Sequence, residues 1–139
     1  MKTLTIFFAI VFSTFLAYGQ ETETVTVTVT IENVLNDQGT VLAALHTEET
    51  FMKGAGIINL TEPAKEGELT FIFENVPPGT YAIMTMHDAN DNKRMDYQVN
   101  GMPKESYGVS GNDMSMGPPT FDGAKFDVAG ENLEINMRF

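Results

Sequence analysis

Residues 22–34 alternate almost without a break: Val25, Val27, Val29 and Ile31 take one parity, and Thr24, Thr26, Thr28 and Thr30 take the other. Successive side chains of an extended strand point to opposite sides, so this two-residue period gathers the apolar groups on one face. Such a face has to be covered by a second apolar layer, and no helical period elsewhere in the chain offers one. The covering layer is therefore expected to be another sheet.

The remaining apolar runs agree. Residues 40–46, 56–60, 68–73, 82–87, 125–128 and 133–137 are short, rich in Val, Ile, Leu, Phe and Thr, and bounded by Gly, Pro, Asn or Asp. Asn36-Asp37-Gln38-Gly39 has turn chemistry and is expected to join the first two strands as a hairpin, while Pro77-Pro78-Gly79 demands a tight turn with fixed φ. About seven short strands with turns between them predict an all-β fold, an antiparallel immunoglobulin-like (prealbumin-like) sandwich with one long irregular loop. Val27, Val29, Leu42, Phe71, Phe73, Tyr81 and Ile135 are the expected core, on the apolar parity of their strands or at a strand-turn anchor.

The start of the chain has a different logic. Lys2 is followed by an apolar run at 4–16 and by Ala17-Tyr18-Gly19, with acidic Glu21 and Glu23 beyond. A run this short, a basic start and small residues before the cut describe a secretory signal peptide, expected at 1–19 with cleavage after Gly19. The remainder, 20–139, is expected to be a single domain, periplasmic or secreted. The sequence has no cysteine, which removes disulfides, thiolate metal sites and the lipid-bearing cysteine of many exported proteins. Nineteen acidic residues against eight scattered basic ones make nucleic acid and anionic membrane surfaces poor partners. A monomer without membrane insertion is expected, with divalent cations or basic surfaces the better match.

Residues 88–122 show little alternation and many Gly, Asn, Asp, Met and Pro residues. A loop of that length in a compact domain is usually functional or disordered. It opens on Asp88-x-Asn90-x-Asn92-x-Arg94-x-Asp96. Oxygen-bearing side chains at alternate positions of a curved loop point to a common centre, and calcium takes six to eight oxygens. The carbonyl of Arg94 falls where an EF-hand loop uses a backbone oxygen. Two departures exclude a complete EF-hand: Lys93 stands at the usual turn glycine and Val99 at the usual bidentate Glu. Glu105, within chain reach after Pro103, is the expected remaining ligand. The metal set is thus Asp88, Asn90, Asn92, the Arg94 carbonyl, Asp96 and Glu105, with calcium as the cofactor. The competing reading is a loop of Asx turns whose side chains bond their own backbone.

Several further segments, Phe73-x-x-Val76-Pro77-x-Gly79-x-Tyr81-Ala82, His87 to Asp96, Gly101-x-Pro103-x-Glu105-x-Tyr107-Gly108-x-Ser110 and Gly117-Pro118-Pro119-x-Phe121, occur in this order. Together they resemble an uncharacterised bacterial exported family, domain of unknown function 2141, over nearly the whole mature chain. The proline turn is also similar to turns of transthyretin-like and carboxypeptidase-regulatory-like sandwiches. The resemblance implies a fold and an exported address, and no activity.

The functional expectation is a non-enzymatic envelope module in which calcium stiffens the long loop, so that Tyr97, Tyr107, Pro118, Pro119 and Phe121 face a protein or glycan partner. A small hydrolase or carbohydrate-active enzyme with its site in the 88–122 loop is the first alternative. The second is a methionine-based copper buffer using Met84, Met86, His87, Met114 and Met116, although Met84 and Met86 also fit as gap-fillers of the core.

Overall fold

A computed structural model describes residues 23–112 and 117–139. The expected signal segment at 1–19 and residues Asp113, Met114 and Met116 lie outside the described residues. The elements in chain order are β1 (Val25–Val34), β2 (Thr40–His46), β3 (Ile58–Pro63), β4 (Gly67–Val76), β5 (Gly79–Asp88), β6 (Tyr107–Val109), a 3-10 turn (Ser110–Asn112), α1 (Phe121–Ala124), β7 (Phe126–Val128) and β8 (Leu133–Met137). One sheet has the order β4-β1-β8 and the other the order β3-β2-β5-β6, with β7 also pairing to β5. The fold is all-β, and the sheets face each other as a sandwich.

Alternation in β1 does what its period requires. Val27, Val29 and Ile31 are fully buried, and in the antiparallel register with β4 Val27 lies opposite Phe73 and Val29 opposite Phe71. From the facing sheet Val41, Ala43 and Leu45 of β2 and Tyr81 and Ile83 of β5 close the same core, with Met137 from β8. Ile135 packs against this core while half-buried. Tyr81 is anchored at both ends: its ring is in the core and its hydroxyl donates to the Pro77 carbonyl at 3.0 Å, which holds the proline turn.

Three expectations need correction. First, β1 and β2 are not a hairpin: they belong to different sheets, so the Asn36–Gly39 turn carries the chain across the sandwich. Second, Leu42 is half-buried on the outer face of its sheet, because β2 is apolar on both parities and its outer side is also covered. Third, the sandwich is not wholly antiparallel, since β8 lies parallel to β1, Val27 beside Leu133 and Ile31 beside Met137. Asn33 secures that pair by donating to the Phe139 carbonyl at 3.1 Å and accepting the Phe139 N–H at 2.8 Å. The stretch 88–122 is the long irregular loop expected, interrupted among its described residues by β6, the 3-10 turn and the start of α1, with an isolated antiparallel bridge joining Tyr97 to Pro103. No helix among the described residues is long and apolar enough to cross a membrane.

A smaller cluster of Phe51, Ala82, Val109 and Ala124 seals one end of the outer face of the five-stranded sheet. His46 belongs to this end. Its ring meets Phe51 edge-on at 6.0 Å and its Nδ1 is 3.2 Å from the Thr50 hydroxyl. Burial holds its pKa below the ordinary 6.5, partly opposed by hydrogen bonding to Thr50. As pH falls below that value the unfolded chain takes up the proton first, so this histidine withdraws stability on acidification and none above. His46→Asn, which keeps a polar atom near the Nδ1 position, is expected to flatten the dependence of melting temperature on pH between about pH 7 and 5.

Candidate functional site

The expected cation loop begins where β5 ends. Asp88, the last residue of β5, is fully buried, and its carboxylate accepts the backbone N–H of Asn92 at 3.2 Å and of Lys93 at 2.6 Å. This curls residues 88–93 into a tight arc. Asn90 Oδ1 accepts the Asn92 N–H at 3.1 Å, and Asn92 Oδ1 accepts the Arg94 N–H at 2.8 Å, so each alternate side chain fixes the backbone two residues on. Arg94 is exposed and enters the arc through its backbone. Lys93 holds φ at +59° and Asp91 at +56°. The absent glycine at position 93 therefore changes the residue and leaves the left-handed conformation in place.

Three side-chain tips converge at the mouth of the arc. The amides of Asn90 and Asn92 each lie against the same Asp96 oxygen, Oδ2, at 2.7 and 3.0 Å. Asp96 in turn is tied to the next segment: its N–H donates to Glu105 Oε2 at 3.0 Å, and its carbonyl accepts the Lys104 N–H at 2.8 Å. Glu105 is thus beside Asp96. Its other oxygen, Oε1, is buried and has no hydrogen-bond donor among the described residues. Among the described residues no group of three or more His, Cys, Asp or Glu side chains is close enough to hold a metal by itself. What the loop gathers is a mixed set of carboxylates and amides, oriented as a self-bonded knot.

Gly39 explains how the loop is seated. Its φ is +69°, and a Cβ there would run into the Asp88 carbonyl and the Ala89 backbone. The crossing turn and the loop entrance are therefore in contact, and His87 Nε2 adds a hydrogen bond to the Gln38 carbonyl at 2.8 Å. Gly39→Ala is expected to cost more than about 1 kcal/mol, because both the left-handed φ and the contact with Asp88 are violated. Chemical denaturation of the variant checks the effect.

The expected partner surface is brought together in part. Tyr97, Tyr107, Pro118 and Pro119 line one groove of about 710 Å³ on the outer face of the five-stranded sheet. Phe121 does not join them: it is half-buried, and its ring packs on Phe51 at 5.8 Å. An aromatic residue at the start of α1 finds a closer apolar neighbour in the small cluster than in the groove. Met84 and Met86, expected as core fillers, line this groove instead. His87, grouped with them by the copper reading, has the opposite parity, is buried, and stacks on Phe139 at 6.1 Å. Ser110 is buried as well. Its hydroxyl donates to the Ala124 carbonyl and accepts the Ile83 N–H at 2.8 Å, which gives it a structural role. Composition showed the methionines but could not show that they share a surface; the signal was the Met84-Thr85-Met86 alternation inside a strand.

The family described as "Uncharacterized protein conserved in bacteria (DUF2141)" matches residues 29–136, and the chain belongs to it. No curated protein and no solved structure matches the chain.

Proposed function

We propose that this family member is an exported, non-enzymatic module in which calcium bound at Asp88, Asn90, Asn92, the Arg94 carbonyl, Asp96 and Glu105 stiffens the 88–105 segment. That segment then presents the groove of Tyr97, Tyr107, Pro118 and Pro119 to a protein or glycan partner. The observation that carries the reading is Glu105 Oε1, a buried carboxylate oxygen without a donor, next to Asp96. Burying such an oxygen uncompensated is costly, and a cation removes the cost.

The chemistry of the knot supports the same reading. The Asn90 and Asn92 tips lie 2.7 and 3.0 Å from Asp96 Oδ2, close to the spacing of neighbouring oxygens in a shell whose metal–oxygen distances are about 2.3–2.6 Å. Rotating the two amides exchanges nitrogen for oxygen at those tips, and amide orientation follows whichever partner is present. With calcium the oxygens turn inward and give up their bonds to the Asn92 and Arg94 N–H groups, a loss the ion has to outweigh, and without it the nitrogens bond Asp96. The finer fold is proposed to be the immunoglobulin-like, transthyretin-like kind of sandwich, supported by the Tyr81 hydroxyl that closes the proline turn on Pro77. Export rests on the signal-peptide pattern at 1–19.

Thermal unfolding in a calcium series tests the proposal. An ion bound only by the folded state stabilises by RT ln(1 + [L]/Kd), about 2.7 kcal/mol at a hundredfold excess over Kd. Asp96→Ala is expected to abolish the shift, Glu105→Ala to weaken it, and Asp113→Ala to leave it intact. Magnesium, which demands octahedral geometry and keeps its water, is expected to substitute poorly.

A further inference from the structure

Of the six methionines among the described residues, Met137 lies in the core and the other five, Met52, Met84, Met86, Met95 and Met102, line one groove on the outer face of the five-stranded sheet. They reach it from three separate parts of the chain. Met84 and Met86 project from β5 on one parity, about 7 Å apart along the strand. Beside them the register places Ala44 and Leu42 on one side and Val109 and Tyr107 on the other. Met95 and Met102 come from the segment bridged at Tyr97 and Pro103, and Met52 from the loop between β2 and β3.

Apolar cover alone does not call for this choice of residue. Leu or Ile would bury as much surface with better-defined rotamers. Met52 holds a left-handed φ of +59° and is 53% exposed, at a turn position where Gly or Asn would be the favoured residue. Met102 is 59% exposed. What the five share is a soft, uncharged thioether on a flexible stem of three rotatable bonds, able to close on a ligand smaller than the groove.

We propose that this groove is a copper(I) site, with the sulfurs of Met84, Met86 and Met102 as principal ligands and Met52 and Met95 closing over them. Thioethers select soft, low-charge copper(I) and have little attraction for hard ions such as calcium, so the oxygen loop and the methionine groove sort their ions by chemistry. Electrostatics favour a cation here: the chain carries a formal charge of −11, and among the described residues no Lys or Arg lines the groove to oppose it. The metal arrives and stays as copper(I). Met84 and Met86 stand on β5 and need no calcium, whereas Met95 and Met102 lie on the segment that calcium is proposed to stiffen, so the competition for copper(I) is run both with and without calcium and the two readings fail separately.

The test is competition for copper(I), kept reduced with ascorbate under anaerobic conditions, between the purified protein and the chromogenic chelator bathocuproine disulfonate. The protein is expected to withdraw copper(I) stoichiometrically. Met84→Leu with Met86→Leu, which keeps apolar volume, is expected to lose that capacity while its metal-free melting temperature is unchanged. On the unsubstituted protein, silver(I) added to a sample labelled at its methionine methyl groups is expected to shift the groove resonances and leave that of Met137 in place, a readout that needs no variant to fold. Failure to withdraw copper(I), withdrawal that survives replacing Met84, Met86 and Met102 together by Leu, or silver shifts that miss the groove methionines each overturns the proposal.

Discussion

Phe73→Ala is expected to destabilise the protein by about 3–5 kcal/mol in chemical denaturation, the largest single effect of any side-chain truncation considered. Phe73 is fully buried and lies opposite Val27 in the β4–β1 register, in the middle of the core shared by both sheets. Removing its ring takes apolar surface out of the core and leaves a cavity that rigid strands on either side cannot collapse to fill. No disulfide reinforces the fold, since the chain has no cysteine, so the loss falls directly on the packing. Ile72, the neighbouring residue of opposite parity, is 54% exposed, and Ile72→Ala is expected to cost far less. Similar losses from both variants would mean that the β4 face is wrongly assigned.

The second large effect is expected at Asp88. Its carboxylate is fully buried and accepts two backbone N–H groups, from Asn92 and Lys93. Asp88→Ala strips the Lys93 N–H of its acceptor and leaves the Asn92 N–H with Asn90 Oδ1 alone, a loss of about 1–3 kcal/mol in this part-buried arc. Asp88→Asn separates the two functions of the residue: its amide oxygen still accepts a hydrogen bond, while the negative charge toward a cation is lost. Asn is therefore expected to keep much of the metal-free stability and lose most of the calcium response, and Ala to lose both. Metal-free melting temperatures and calcium-dependent shifts of the two variants distinguish these outcomes.

How much of this was legible in the sequence depends on whether a feature is local. Alternation located β1 and β8 because each presents one apolar face at period two. It misassigned Leu42 because residues 41–45 are apolar at every position, and parity carries no information in such a run. The crossing at Asn36–Gly39 was read as a hairpin because its residues suit a tight turn. What prevents pairing is distant, namely β4 and β8 occupying the two edges of β1. β6 is only three residues long and exists because Met84 and Met86 of β5 offer an unpaired edge, which nothing near residue 107 announces. In the loop, spacing alone identified the arc, since Asx turns are made by neighbours two residues apart. The position of Glu105 beside Asp96 followed from chain reach. The methionine groove was not legible, because it assembles residues from three distant segments.

Calorimetric titration of the chelator-stripped protein with calcium decides whether the loop holds an ion. Saturable binding of one ion per chain is expected, lost in Asp96→Ala and retained in Asp113→Ala. Absence of binding heat at millimolar calcium, together with a melting temperature indifferent to the ion, would contradict it and leave the loop as a knot of Asx turns bonded to itself.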